Sequence, residues 1–216
     1  MSEKYLIGEG GWNAFVQQIQ FYVSRGYTEY HLVKYPEHKQ DKYLKIDQKL
    51  IEKYNANLNK DKAYYNKKEN YCNFKFLRHG DAAIILKSKG NLRKNIVLDD
   101  VFQSVENEKI AVQIGEKVTL VIGYDEMKVT VFLDKKTYRE VRATCLEYMD
   151  RQKYQKATDT FNQLNALPSW GGIVEQKIKM KKYLVKHLEQ SLSAQKVKSL
   201  AYKMIISTKR TAVKVF

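Results

Sequence analysis

Along the first third of the chain, apolar positions fall into two rhythms. In WNAFVQQIQFYVSR (12–25), Trp12, Phe15, Val16, Ile19, Tyr22 and Val23 recur at helical spacing and form one stripe, read as core. Gly10 and Gly11 precede this helix and Gly26 ends it in the usual C-terminal position. TEYHLVKY (28–35) is β-branched and aromatic, a strand closed by Pro36. A second helix is predicted over 41–58, with Tyr43, Ile46, Leu50 and Tyr54 on one face. Asn55 to Asn70 is polar, rich in Asn and Lys, and reads as a loop.

The middle of the chain is strand-rich. YCNFKFLR (71–78), AAIILK (82–87) and NIVLD (95–99) read as strands, and the unalternating AAIIL predicts a central strand covered on both faces. Three further segments run to Asp134, with links at Gly115-Glu116 and Asp125-Glu126 short enough for hairpins. From Lys136 the pattern becomes helical. One long helix is predicted over 136–165, with Leu146, Met149, Phe161 and Leu164 among its apolar positions. A second is predicted from Gly172 to about 192 and a third near 194–206, with Pro168-Ser169-Trp170-Gly171-Gly172 as the break. Consecutive strands flanked by helices predict an α+β protein. Its central sheet would be mostly antiparallel, a meander, with N-terminal helices and a C-terminal helical segment. The expected division is an α+β core over 1–167 and a basic helical extension over 168–216, packed on that core or separate from it.

Composition narrows the class. The chain has 216 residues, 44% hydrophobic and 12% aromatic, with only two prolines, so it is neither disordered nor fibrous. It lacks an apolar run of about 18 residues, and its first residues lack a secretory pattern. Two distant cysteines, Cys72 and Cys145, suit free thiols in the cytoplasm. The four histidines make no HxH, HxxxH or HExxH spacing, and no CxxC exists, so no metal site and no cofactor is expected.

Charge changes the picture most. The net charge is +15, concentrated in residues 60–94 (+7) and 176–216 (+10), while 95–150 is acidic (−4). Such blocks repel themselves unless a polyanion neutralises them, and phosphates are the common counter-charge. On the helix after Gly172, Val174, Ile178, Val185, Leu188 and Leu192 are the expected buried face, with Lys179, Lys182 and Lys186 opposite. Lys177, Lys196, Lys198, Lys209 and Arg210 extend this phosphate-contacting set. In the first block, Lys60, Lys62, Tyr64, Tyr65, Lys67, Lys68 and Tyr71 mix cations with rings that stack unpaired bases. SKGNLRK (88–94) adds a basic loop with Arg93 and Lys94. Only seven of the 39 basic residues are arginine, fewer than base-edge readers generally use.

Catalytic signals are at background. Gly8 to Asn13 starts like a phosphate loop but does not complete the motif, and no GxxxxGK[ST] exists. A nuclease needs clustered carboxylates to hold Mg²⁺, and the [DE]xK pattern occurs at Glu37, Asp47, Glu126, Asp134 and Glu175, against about 3.6 expected by chance. Asp99 or Asp100 with Glu126 and Lys128 is the best-placed set. Arg78-His79-Gly80-Asp81 reads as a turn, with a polar site of His79 and Asp81 at a sheet edge as the alternative. Tyr148 and Tyr154 occupy a helix after the sheet, where a nicking enzyme's nucleophile would sit, but the paired histidines of such enzymes are missing. The expectation is a nucleic-acid-binding protein, DNA favoured, of the kind that serves as an accessory or initiator factor of a mobile element with protein partners in a nucleoprotein complex. The alternatives are a Mg²⁺-dependent nuclease or nickase and a structural RNA-binding subunit of a larger particle.

Overall fold

The computed structural model describes residues 5–6, 11–115 and 118–208. Among them are seven α-helices and two antiparallel sheets, an α+β architecture. The chain forms two compact units. The first contains the described residues up to Ile110 together with 122–129, and the second contains 111–121 and 130–208 among the described residues.

In the first unit, helix α1 (Gly11–Ser24) buries Ala14, Phe15, Val16, Ile19 and Val23. Gly26 at φ +93° then turns the chain into strand β1 (Glu29–Lys34). A short 3₁₀ segment, Glu37–Lys42, leads into α2 (Tyr43–Lys53). The helix predicted over 41–58 is therefore shorter, because Asn55 and Asn57 adopt left-handed φ of 47° and 60°. Asn57 then bonds the backbone of Phe76 in both directions (Nδ2 to O, 3.2 Å; N to Oδ1, 3.1 Å).

The segment read as a loop contains a helix, α3 (Lys60–Lys68). Asn59 caps it by accepting from Lys62 N at 2.9 Å, and Asn66 bonds Asn73 at 2.9 Å. Because α3 has no apolar stripe, periodicity could not report it. Strands β2 (Phe74–His79) and β3 (Ala82–Lys87) follow, and the first sheet has the order β2-β3-β1-β4, with β4 limited to Gln103–Ser104. The expected strand at 95–99 is instead irregular. Lys53 ties it down, with Nζ 2.5 Å from Asp99 and 2.7 Å from Asp100.

Strand β3 is central and almost wholly buried, as AAIIL predicted. One sheet face carries Phe74, Phe76, Ala83 and Ile85, packed with Tyr35, Tyr43 and Tyr54. α1 lies on the other, where Phe15 meets His79 at 6.2 Å between ring centroids. Arg78 shares the face of Phe76 and turns inward, its Nε 2.9 Å from Asp47, whose carboxylate is fully buried and accepts from Tyr35 Oη at 2.9 Å.

The second sheet is the meander, β5 (Ile110–Ile114), β6 (Val118–Asp125) and β7 (Lys128–Leu133). Glu116 and Lys117 lie outside the described residues, and the other hairpin turns at Glu126, φ 52°.

In the second unit, the helix predicted over 136–165 is two, α4 (Lys135–Asp150) and α5 (Tyr154–Gln163). Gln152 takes φ 56° and closes a Schellman motif, in which Gln152 N bonds Met149 O at 2.9 Å and Lys153 N bonds Tyr148 O at 2.7 Å. No Gly or Pro marks this stop, so the sequence pattern ran through it.

Helices α6 (Gly171–Leu188) and α7 (Ala194–Lys203) follow the break at Pro168. The buried stripe of α6 is Ile173, Lys177, Met180, Leu184 and Leu188, rotated by about one residue from the expected Val174, Ile178, Val185, Leu188 and Leu192 stripe. The first turn sets this register. A Cβ on Gly172 would lie 2.5 Å from the Phe132 ring, Gly172 N bonds Thr130 Oγ1 at 3.0 Å, and the Gln176 amide bonds both N and O of Leu133 at 2.8 and 3.0 Å.

Candidate nucleic-acid interface

Most of the first basic block does face outward. Lys60, Lys62, Tyr64, Tyr65, Lys67 and Lys68 of α3 are all exposed, as is Lys94. Helical spacing places Lys60, Tyr64 and Lys67 on one side of α3, and these three line a groove of about 940 Å³ in the first unit. The end of α1 and its turn supply Phe21, Tyr22, Arg25 and Tyr27. The start of β2 supplies Lys75, the loop after β3 supplies Lys89, and β6 supplies Tyr124. Five cations and five aromatic rings thus line one concavity with a single carboxylate, Glu106.

The groove's side chains hold one another at its walls. The Arg25 guanidinium lies 4.4 Å from the Phe21 ring centroid, and Tyr22 meets Phe21 and Tyr27 edge-on at 5.4 and 5.6 Å. Lys75 Nζ lies 5.6 Å from the Tyr22 centroid and 3.4 Å from Leu58 O. Burial pushes the Lys75 ammonium below the ordinary lysine range. Burial also raises the Tyr27 phenol to about 12. Tyr64, 66% exposed, offers a free-standing stacking surface, with Tyr65 against its edge at 5.9 Å.

Several expected contacts are corrected. Tyr71 and Arg93 serve each other, since the guanidinium covers the Tyr71 ring at 4.6 Å and bonds Asn66 Oδ1 at 2.9 and 2.5 Å. Both belong to the joint between α3 and the loop after β3 rather than to an open stacking site. Lys177 is fully buried, its Nζ 3.3 Å from Asn165 Oδ1, and burial lowers its pKa. It follows from the rotated register of α6 and removes Lys177 from the phosphate-facing set. The reading of Tyr22 as a core aromatic also changes, since it lines the groove together with Phe21, which is 42% exposed.

Among the described residues, the other expected C-terminal cations do face outward. Lys179, Lys182 and Lys186 occupy one exposed side of α6 around half-exposed Tyr183, over which Arg142 of α4 lies at 4.8 Å. Lys196 and Lys198 are exposed on α7, with Lys196 Nζ 5.0 Å from the Tyr154 ring. Lys209 and Arg210 lie outside the described residues.

The catalytic candidates do not assemble. Asp81 Oδ2 is 3.9 Å from Lys34, Asp99 and Asp100 are held by Lys53, and Glu126 occupies the β6–β7 turn. His79 packs near Phe15, Lys128 is exposed at the start of β7, and Tyr148 is half-buried on α4. Among the described residues no group of three or more His, Cys, Asp or Glu side chains is placed to hold a metal ion, and no helix is long and apolar enough to cross a membrane.

The groove was only partly legible. Lys60, Tyr64 and Lys67 stand out as cations interleaved with rings. The same signal, Phe21-Tyr22 with Arg25 and Tyr27, was present at the end of α1 but was masked by its overlap with the apolar stripe. Lys75 and Tyr124 sit in ordinary strand sequence and reach the groove only through the fold. Comparison with protein-family models, with curated proteins and with solved structures finds no match.

Proposed function

We propose that the protein binds single-stranded nucleic acid, DNA favoured, in the groove lined by α1, α3 and the start of β2. The observation that carries this reading is the convergence of Arg25, Lys60, Lys67, Lys75 and Lys89 with Phe21, Tyr22, Tyr27, Tyr64 and Tyr124 in one concavity. Cations hold the backbone, and rings stack bases whose faces are open only when unpaired. The lysine row of α6 adds phosphate contacts without base information, in keeping with the scarcity of arginine. An accessory or initiator role on DNA, in a nucleoprotein complex in the cytoplasm, suits both this chemistry and the two buried free thiols.

The test is fluorescence anisotropy with labelled single-stranded DNA, single-stranded RNA and duplex across a salt series. The five groove cations contribute about −3.5 to the slope of log K against log salt on a single strand, and the α6 row adds to it. A slope near zero, or a duplex bound as tightly as a single strand with Tyr64→Ala without effect, would overturn the reading. Tighter binding of RNA would move the ligand class to RNA while keeping the groove.

A further inference from the structure

One residue in the groove has chemistry opposed to all the others. Glu106 is the single carboxylate among the described residues that line it. It stands on a fixed turn after β4. Val105 N bonds Thr28 O at 2.8 Å, Glu106 N bonds Ser104 Oγ at 3.3 Å, and Asn107 N and Glu108 N bond Ser104 O at 3.1 and 2.8 Å. The neighbouring acid, Glu108, is taken by Gln103 Nε2 at 2.9 Å. The cation paired with Glu106 is Lys89, 3.6 Å away, with both side chains more than half exposed. That is beyond the roughly 2.7–2.9 Å of a charge-assisted hydrogen bond, so the carboxylate keeps its accepting capacity.

A carboxylate in a phosphate-binding groove repels the backbone and lowers affinity unless it binds something else. Its two oxygens only accept hydrogen bonds. Among unpaired bases, guanine alone presents two adjacent donors on its Watson–Crick edge, N1–H and the N2 amino group. Adenine and cytosine set a ring-nitrogen acceptor beside their amino group, and thymine and uracil flank one N–H with two carbonyls. We infer that Glu106 selects guanine, accepting from N1–H and N2–H while the groove's lysines hold the flanking phosphates. The inference rests on the groove being the nucleic-acid site and names what that site reads. Arginine is not needed for it, since on an unpaired guanine the donor edge is open to an acid.

The experiment uses the full chain and a short oligothymidylate with one central guanine, hypoxanthine or adenine. Hypoxanthine keeps N1–H and lacks the amino group. Wild-type protein should bind the guanine oligomer about tenfold tighter than either of the others. In Glu106→Gln the ratio should fall below about twofold, while affinity for all three holds or rises because a negative charge has gone. The ratio separates the base contact from the charge effect, and this exposed substitution leaves the core untouched. Equal binding of all three by wild type, with Tyr64→Ala still weakening each, would overturn the inference and leave the groove reading standing. A guanine preference unchanged in Glu106→Gln would overturn it too. No binding of any oligomer by wild type would overturn both.

Discussion

Helices α3 and α6 are both lysine-rich and tyrosine-bearing, yet they differ in what fixes them. α3 has no apolar stripe. It is clipped by its ends, through the Asn59 cap and the Asn66–Asn73 bond, so nearly every side chain along it points outward. One side of it becomes the wall of a groove completed by α1, β2 and β6. α6 is fixed by packing, and its register is set in its first turns, at Gly172 and Gln176. That register buries Lys177 and leaves Lys179, Lys182 and Lys186 in a row on an exposed side. Similar composition therefore yields one wall of a concave groove in one case and an exposed row of lysines in the other.

The largest expected effect comes from buried charge in the first unit, outside both helices. Arg78→Ala should cost about 3–5 kcal/mol in chemical denaturation, because it leaves Asp47 buried without its cation. An effect below 1 kcal/mol would mean that the pair is solvated. Next, Tyr64→Ala should weaken single-stranded binding by about 1–3 kcal/mol in anisotropy, with little effect on duplex. Replacing Lys179, Lys182 and Lys186 together by Ala should instead weaken every ligand alike and reduce the magnitude of the duplex salt slope by about 2.7. If the two sets of variants behave identically, the contrast between groove and row is wrong.

Lys177→Met should leave binding and salt slope unchanged and raise stability by about 1–2 kcal/mol, since a cation held by one amide oxygen is replaced by an apolar side chain of similar length. A drop in nucleic-acid affinity would return Lys177 to the phosphate-facing set. The smallest effect concerns acid. Hydrogen bonding to Lys53 holds the Asp99 and Asp100 carboxyls below the usual carboxylate range, and Lys53 in turn is raised above the ordinary lysine value by the same bonds. Folded pKa values below the unfolded ones mean that the unfolded chain binds more protons. This contribution is present above the ordinary carboxylate pKa of about 4 and fades as pH falls through the folded values. Lys53→Met should flatten that acid limb in a pH series of thermal melts and leave the melting temperature's dependence on pH between 6 and 8 unchanged.

Much of the architecture was determined by sequence alone, because the signals were local. The stripe of α1, the covered strand Ala82–Lys87, the meander up to Leu133 and the break at Pro168 each follow from spacing or from a backbone-restricting residue. The failures share one physical origin. α3, the stop at Gln152 and the register of α6 are decided by hydrogen bonds from Asn59, from a left-handed Gln and from Gln176, which carry no periodic signature. Charge blocks raised the expectation of a polyanionic partner, since net charge needs no fold to be counted. Which cations converge was settled only by the tertiary structure. Concavity arises when segments as distant as Arg25, Lys67, Lys89 and Tyr124 close around one space, and that closure is a property of packing rather than of any local stretch of chain.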